Sequence, residues 1–273
     1  MPKVSVIIPT YNRAEKVAAA IDSVRAQTFA DFELIVVDDG SSDYTQARLR
    51  AYGDRIKIIR QDNRGVSAAR NAGIAASQAP LLAFLDSDDV WLPHKLQSQA
   101  AFFAANPAAM WQQTAEMWVR NGKRVNPKTR HAKLEGRIFQ ESLELCLISP
   151  SAVMLRRALL DEMGLFDENL SACEDYDLWL RILTKYPVYL DPAYGIIKNG
   201  GHADQLSRNP ALDVYRIQSL TKIIQICELN HADKQALLRV RAQKCRIYAA
   251  GCTKRGRYDE AAYYLQLAGQ TEM

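Results

Sequence analysis

The chain has 273 residues, 48% of them hydrophobic and 24% charged, which fits one large domain, or one domain with an appendage, and a core that needs no disulfides. A net charge of +4 is too small to indicate nucleic-acid binding, although it is compatible with phosphate-bearing substrates or an anionic membrane surface. The five cysteines have no C-x-x-C spacing, and neither a signal peptide nor a run of about 18 apolar residues is present. We therefore expect a cytoplasmic protein without a transmembrane segment, for which peripheral contact with the inner membrane face is left open.

Strands and helices alternate over the first hundred residues. Short apolar, β-branched runs predict strands at 3–8, 32–37, 56–59 and 81–85. Helical spacing of apolar residues predicts helices at 14–27, from Asp43 as N-cap to about 51, at 66–77 and at 93–105. This alternation is typical of an α/β fold in which helices flank a mainly parallel sheet, and such sheets bind ligands at the carboxyl ends of their strands.

Polar groups follow three of these strands. The fourth strand ends in Asp86-Ser87-Asp88-Asp89, where close carboxylates need an offsetting charge such as Mg²⁺ or Mn²⁺. Taken alone, these acids also fit a solvated turn before the next helix. The loop Pro9-Thr10-Tyr11 and Asp39 follow the first two strands, so all three groups are expected in one crevice. Tyr11 offers a face for stacking on a nucleobase, and Arg70 suits phosphate or base-carbonyl contacts. Together they favour a nucleotide diphosphate site with a metal.

The second half of the chain is less regular. Residues 110–120 predict a strand, Asn121-Gly122 a hairpin turn and 127–135 a polar, mobile segment. Further predictions are a helix at 138–147, strands at 151–155, 188–190 and 196–198, and a flexible loop at 199–202. Glu174 and Asp175 precede Leu178, Trp179 and Ile182, which share a helical face. These two acids should therefore lie at a helix N-terminus, which favours ionised carboxylates.

From Asp213 the sequence is helical to its end. Segments 236–251 and 258–268 flank Lys254-Arg255-Gly256-Arg257, an arrangement that resembles a single tetratricopeptide-like hairpin. One such unit cannot bury its own apolar face, so we expect it to pack on the main domain or to form a homodimer through the C-terminal helices. The expected boundaries are 1–209 for the main domain, with a nucleotide-binding half (1–105) and an acceptor and catalytic half (106–209), and 210–273 for the helical region.

Five segments in order resemble the motifs of family 2 glycosyltransferases with the GT-A fold. They are Val-Ser-Val-Ile-Ile-Pro-Thr-Tyr-Asn, Val-Val-Asp-Asp-Gly-Ser-Ser-Asp, Gly-Val-Ser-Ala-Ala-Arg-Asn-Ala-Gly, Phe-Leu-Asp-Ser-Asp-Asp and Glu-Asp-Tyr-Asp-Leu-Trp-Leu-Arg. The resemblance covers about residues 3–205. It implies metal-dependent, inverting transfer of a sugar from a UDP- or dTDP-sugar to a hydroxyl acceptor, such as a glycan, a lipid-linked sugar or a protein, in cell-surface glycan or polysaccharide biosynthesis.

The resemblance also implies roles for individual residues. Asp175 would be the catalytic base, with Glu174 beside it, and His202 would lie near the diphosphate or metal. Asp88 would bind Mn²⁺ or Mg²⁺ directly, and Asp86 would contact ribose or a metal-bound water. The remaining implied donor-site residues are Pro9, Thr10, Tyr11 and Asp39 at the nucleobase, assisted by Arg70, and Ser87 within the D-x-D motif.

The Q-x-x-R-W signature of processive synthases is absent, which favours single addition over polymerisation. Residues 115–148 show no acceptor signature; Trp111 and Trp118 are candidates to stack on a sugar, whereas Trp179 better fits a core. Three alternatives remain open from the residues. The first is a haloacid-dehalogenase-like phosphatase that uses Asp86-Ser87-Asp88, although the later G-D-x-x-x-D motif of that family is missing from this sequence. The second is a sugar nucleotidyltransferase, although the expected Gly-rich loop is missing. The third is a non-catalytic nucleotide-sugar-binding protein, which would not need Asp175.

Overall fold

The computed structural model describes residues 1–201 and 212–270. Its N-terminal part alternates strands with helices, because each apolar strand is followed by an amphipathic segment that covers the sheet. The elements are β1 (Val4–Thr10), α1 (Ala14–Arg25), β2 (Phe32–Asp38), α2 (Thr45–Arg50), β3 (Lys57–Arg60), α3 (Val66–Ala76) and β4 (Leu81–Phe84). These four strands are parallel and lie side by side in the order β3-β2-β1-β4. The predicted α/β alternation is confirmed here.

The rest of the sheet is mixed. Beyond β4 the order continues β8-β6-β9-β5, with β7 paired to β6; only β6 and β9 are parallel in this part. The elements are β5 (Val90–Trp91), α4 (Lys95–Ala105), β6 (Trp111–Arg120), β7 (Lys123–Val125), β8 (Val153–Arg156), α5 (Arg157–Met163), α6 (Glu174–Leu183) and β9 (Tyr189–Gly200). The hairpin predicted at Asn121-Gly122 joins β6 to β7, and both turn residues have positive φ, at 49° and 74°.

Apolar side chains cover both faces of the sheet. Successive residues of β1 point to opposite faces, so Ile7 joins one large cluster while Val6 and Ile8 join another. Gly73 on α3 allows that helix to lie directly against β1, because a Cβ at this position would come within 2.4 Å of Ile7 Cγ2. This close approach places the first two turns of α3 beside the strand ends where the predicted site lies.

Gly73→Ala is expected to lower the free energy of unfolding by about 1–3 kcal/mol, because Ile7 is fully buried and its β-branched side chain has little freedom to move away. The measurement is urea unfolding followed by circular dichroism. The matched control is Gly269→Ala at the end of the last helix (Tyr258–Gly269), where a Cβ meets nothing within 4 Å and where we expect a change within about 0.5 kcal/mol. Equal stabilities of the two variants would contradict the packing argument.

The helix predicted at 138–147 is wrong. This segment forms turns and bends, although Ile138, Phe139 and Leu143 are buried as a helical pattern would require. Side chains from elsewhere in the chain bond to carbonyl groups of this segment, including that of Leu143, which a helix over 138–147 would bond to the N–H of Leu147. Tyr176 Oη donates to Leu143 O at 2.5 Å, Lys133 Nζ to Leu147 O at 2.8 Å and Lys244 Nζ to Glu144 O at 3.0 Å. Tertiary hydrogen bonds therefore outweigh local periodicity here.

The two short strands predicted at 188–190 and 196–198 are one continuous strand, β9. Its pairing with β6 shifts register around Thr114 and Ala115, so the strand passes through Pro192 and Gly195 by an irregularity instead of ending. Gly195 is required there, because a Cβ would lie 2.4 Å from Thr114 Oγ1. As a result Asn199 and Gly200, predicted in a loop, belong to the strand, and the predicted His202 lies outside the described residues.

Three helices follow: α7 (Leu212–Ile226), α8 (His231–Thr253) and α9 (Tyr258–Gly269). Leu220, Ile223 and Leu237 from α7 and α8 belong to the same apolar cluster as the sheet and α6. Lys222 on α7 also forms ion pairs with Asp167 at 2.6 Å and with Asp177 on α6 at 2.7 Å. The C-terminal helices therefore pack on the main body of the chain, one of the two arrangements expected from the sequence; the homodimer stays a prediction.

Candidate active site

A cleft of about 390 Å³ opens at the carboxyl ends of β1 and β4. Many of the predicted site residues line it, namely Pro9, Arg70, Asp86, Ser87, Asp88, Glu174 and Asp175. A second concavity of about 330 Å³ lies on α8 and is lined by Gln235, Leu238, Arg239, Ala242 and Arg246. No carboxylate lines that groove, so the cleft at the strand ends is the candidate active site.

The loop after β1 lies beside the cleft, and its backbone is held by the loop after β2. Asn12 has a left-handed φ of 50°, and its Oδ1 accepts hydrogen bonds from the N–H groups of Ser42 and Asp43 at 2.8 and 3.3 Å. Asp43, the predicted N-cap of α2, lies one position before the observed N-cap residue, Tyr44. Its carboxylate accepts a hydrogen bond from Thr45 N at 2.9 Å. Tyr11 is 46% exposed, so its ring is accessible for stacking, while Thr10 is buried.

Asp39 is buried at the end of β2 and organises the loop before α3. Its Oδ1 accepts from Gln61 Nε2 at 2.7 Å and from Arg64 N at 3.0 Å, and its Oδ2 accepts from Gly65 N at 2.8 Å. Because a carboxylate oxygen can accept two hydrogen bonds, Oδ2 retains capacity for one more donor. Asp39 thus has a structural role in addition to the predicted contact with a base.

The three acids of the turn after β4 have different surroundings. Asp86 Oδ1 accepts from Arg70 at 2.6 Å, and no described residue donates to its Oδ2. Asp88 Oδ2 lies 3.0 Å from Arg13 Nη1. Asp89 is buried, and both of its oxygens are used, by Ser151 Oγ at 2.7 Å and by Asn199 N at 3.0 Å. Asp89 therefore joins the turn to β9, whereas the other two acids face cations.

Burial and neighbouring charges shift the pKa values of Asp89 and Asp86 in opposite directions. Burial raises the pKa of Asp89 to about 8, an effect that the charge of Lys198 opposes and those of Asp86 and Asp88 reinforce. Burial alone would also raise the pKa of Asp86, but the adjacent Arg70 guanidinium lowers it below its ordinary value. Asp86 is therefore ionised at neutral pH, as a cation-facing group requires.

Arg70 connects the acidic turn to the helix that begins at Glu174. Its side chain is 3% exposed, and its two terminal nitrogens donate to Asp86 Oδ1 and Glu174 Oε1, each at 2.6 Å. Its guanidinium carbon lies 5.1 Å from the centre of the Phe166 ring. Burial would lower the pKa of Arg70, but the charges of Asp86 and Glu174 raise it above its ordinary value. Arg70 therefore fixes the two acidic segments relative to each other, and its predicted assistance at the nucleobase stays a prediction.

Asp175 lies in the first turn of α6 and faces the cleft. Its Oδ1 accepts from Tyr176 N at 2.7 Å, and its Oδ2 lies 3.5 Å from Cys146 Sγ. Burial and the nearby Asp175 charge hold the pKa of the Cys146 thiol well above its ordinary value, so the thiol stays protonated. Its single S–H has Ile148 O, at 3.2 Å, as the nearer acceptor, and the Asp175 carboxylate as the more distant one. Cys173, the residue just before α6, has a left-handed φ of 61°, which turns the chain into the helix.

Sequence reasoning missed the opposite wall of the cleft. Glu116 on β6 lies 2.5 Å from Lys133 Nζ, and Trp118 Nε1 donates to its other oxygen at 3.0 Å. Burial would raise the pKa of Glu116, but Lys133 and Lys198 together lower it to about 2. Lys198 on β9 donates to Ser149 Oγ at 2.6 Å. Trp118 was a candidate from the sequence, but nothing there marks Glu116, Lys133 or Lys198, because the strands that carry Glu116 and Lys198 are about eighty positions apart.

The tryptophans separate into core and cleft. Trp111 is fully buried against Trp179, with ring centres 5.6 Å apart, so its predicted sugar stacking is wrong. Its side chain points into the core because β6 alternates and residue 111 lies on the face that α6 covers. Trp179 is buried, as predicted. Trp118 lines the cleft, where its ring lies beside His131 at 5.2 Å.

Metal ligands are limited in the part of the chain that is described. There, no group of three or more His, Cys, Asp or Glu side chains is arranged to hold a metal ion. The donor chemistry nevertheless fits Mg²⁺ or Mn²⁺, because such ions are commonly bound by one or two carboxylates together with substrate phosphates. The carboxylates placed for such an ion are those of Asp86, to whose Oδ2 no described residue donates, and of Asp88, which also pairs with Arg13.

The arrangement of motifs agrees with a family model. The model described as "Glycosyl transferase family 2" matches residues 5–164, more than half of the chain. The chain belongs to this family. A relative from Escherichia coli named UDP-Glc:alpha-D-GlcNAc-diphosphoundecaprenol beta-1,3-glucosyltransferase WfgD is 37% identical over 182 residues, which span 66% of this chain and 69% of the relative. This glycosyltransferase is therefore an enzyme, and the phosphatase, nucleotidyltransferase and non-catalytic alternatives are excluded.

Solved structures show the same fold. Staphylococcus aureus TarS in complex with UDP-GlcNAc superposes with a TM-score of 0.77 and 21% identity, covering 97% of this chain and 81% of that one. A mannosyltransferase from Pyrobaculum calidifontis in complex with GDP-Man and Mn²⁺ superposes with a TM-score of 0.62 and 18% identity, covering 98% and 86%. At these identities the likeness establishes the GT-A fold alone. Within residues 1–201 and 212–270, no helix has the length and hydrophobicity of a membrane span.

Proposed function

We propose that this glycosyltransferase moves one sugar from a UDP-sugar to a hydroxyl acceptor with inversion, in a reaction that requires Mn²⁺ or Mg²⁺. The observation that supports it most is the Arg70 bridge, which joins Asp86 of the acidic turn to Glu174 beside Asp175 in one cleft. A donor diphosphate and a catalytic base need this proximity. The names of the Escherichia coli relative and of the TarS complex favour a uridine nucleotide, and dTDP is the alternative.

The donor nucleobase would stack on the exposed ring of Tyr11, beside Pro9 and Thr10, while Asp39 Oδ2 accepts a hydrogen bond from the imide N–H. Ser87 and the ionised Asp86 would face the ribose and diphosphate. Asp88, with Asp86 beside it, would hold the metal, and the bound metal would supply charge that neutralises the diphosphate. His202, which is not among the described residues, would contact the metal or the diphosphate.

Asp175 would accept the proton of the acceptor hydroxyl as the hydroxyl oxygen attacks the anomeric carbon. Tyr176 N donates to one oxygen of this side chain and so sets its orientation before the acceptor arrives, while the other oxygen lies beside the Cys146 thiol. One base and one displacement give inversion at that carbon. Trp118 on the opposite wall offers an apolar face for the acceptor, which we propose to be a glycan or a lipid-linked sugar.

A thermal-shift panel tests the proposal. Wild-type protein is heated with UDP-, dTDP-, GDP- and ADP-sugars, each with Mn²⁺ or with EDTA. Because a ligand that binds only the folded state raises the melting temperature, we expect a rise for uridine nucleotides that is larger with Mn²⁺ than with EDTA. A rise with GDP- or ADP-sugars alone would overturn the uridine donor, and equal rises with Mn²⁺ and EDTA would overturn the metal requirement.

A further inference from the structure

Lys198 is a cation in the cleft, and no acid among the described residues forms an ion pair with it. Its Nζ donates to Ser149 Oγ at 2.6 Å. Among the described residues, no carboxylate oxygen lies within 4.0 Å of this nitrogen, the greatest distance at which the two would form an ion pair. An ammonium group has three N–H donors, so two of them are left for a ligand.

The acids around Lys198 already have other partners. Glu116 pairs with Lys133 at 2.5 Å, and Asp86 pairs with Arg70 at 2.6 Å. Asp89 accepts from Ser151 and Asn199, and Asp175 accepts from Tyr176 N. Burial would lower the pKa of Lys198, but the longer-range charges of other acids, Glu116 foremost and also Asp86 and Asp175, raise it above its ordinary value. These acids therefore keep Lys198 charged without occupying its donors.

The position of Lys198 is fixed relative to the acidic turn. It lies opposite Trp118 in the β6–β9 pairing. Its neighbour Asn199 donates from its backbone to Asp89 and from its side chain to the carbonyl of Asp88 at 2.9 Å. The ammonium group is thus held in the cleft by the same strand that fastens the turn, and a charge placed in advance costs little reorganisation during a reaction.

We propose that Lys198 is a catalytic residue that donates hydrogen bonds to the diphosphate of the sugar donor as it departs. The inference rests on the proposed function. In the transfer step, the bond between the anomeric carbon and the β-phosphate oxygen breaks, and its electron pair stays on that oxygen. The acceptor oxygen forms the new bond to the anomeric carbon, and its proton passes to Asp175. Lys198 keeps its proton and stabilises the negative charge that develops on the β-phosphate.

The test compares two ligands that differ in the β-phosphate. Titration calorimetry measures the affinities of UDP and UMP, with Mn²⁺, for wild type, Lys198→Met and a control, Lys123→Met on β7, whose lysine is exposed. We expect Lys198→Met to weaken UDP binding by about tenfold or more and to leave UMP binding unchanged, because UMP lacks the phosphate that Lys198 contacts. With a UDP-sugar substrate, its kcat should fall about 10²–10³-fold. Lys123→Met should match wild type in both assays.

Two further variants keep the test decisive if Lys198→Met does not fold. Ser149→Ala removes the hydroxyl that positions Lys198 and should weaken UDP, but not UMP, by a smaller factor. Lys198→Arg keeps the charge and should retain a preference for UDP. An unchanged ratio of UDP to UMP affinity in folded Lys198→Met, or in Ser149→Ala together with unchanged kcat, would overturn the role of Lys198, and so would loss of the preference for UDP in folded Lys198→Arg. Failure of wild type to bind either nucleotide would instead overturn the proposed uridine donor.

Discussion

Asp175→Asn is expected to lower the rate of sugar transfer by about 10²–10⁴-fold while leaving UDP binding unchanged. Asparagine has nearly the same shape and can still accept from Tyr176 N, but its neutral amide cannot take the acceptor proton. The acidic turn that would hold the diphosphate is not altered by this change. Transfer is measured from a radiolabelled nucleotide sugar, and UDP affinity by calorimetry.

Asp161→Asn provides the matched control, because Asp161 is an exposed carboxylate on α5, outside the cleft. We expect wild-type transfer in this variant. Wild-type transfer in Asp175→Asn would remove Asp175 from the reaction. A parallel loss of UDP affinity and transfer would instead indicate that Asp175 serves donor binding and not proton transfer.

Arg70→Met is expected to lower the free energy of unfolding by about 3–5 kcal/mol, because it leaves the buried Glu174 without its cation. The Asp86 carboxylate loses the same partner, so the acidic turn and the start of α6 are no longer joined. Transfer should fall as well. Stability is measured by urea unfolding and turnover by the transfer assay.

The double variant Arg70→Met/Glu174→Gln separates the cost of the unpaired charge from the loss of packing. A neutral glutamine removes the uncompensated charge, so the double variant should be more stable than Arg70→Met alone. Arg64→Met is the matched control, because Arg64 pairs with Glu168 at the surface and is 62% exposed, where an ion pair contributes about 0–1 kcal/mol. Equal effects of Arg70→Met and Arg64→Met would contradict the buried bridge.

The structure of the first hundred residues agrees closely with the prediction from the sequence, and that of the next hundred agrees less well. Strands β1 to β4 are short runs rich in apolar residues that alternate with helices along the chain, so local patterns suffice to predict them. Strand β5 and helix α5 were not predicted, since two or seven residues give little periodicity. The helix predicted at 138–147 does not form, and Tyr176 bonds to the Leu143 carbonyl that this helix would have used, a contact that no local pattern reveals.

The sequence by itself determined the α/β alternation, the edge of the sheet at which acids collect, and the ordered motifs of a family 2 glycosyltransferase. Those features depend on neighbours along the chain. Only the tertiary structure decided that Asp86 and Glu174 share Arg70, that Asp89 is tied to Asn199, and that Lys198 lies in the cleft and donates to Ser149. These contacts join residues up to about a hundred positions apart, so they exist only once the sheet has brought its strands together. Burial and the neighbouring groups then set the pKa of each side chain, because the free-energy cost of removing a charge from water depends on what surrounds it.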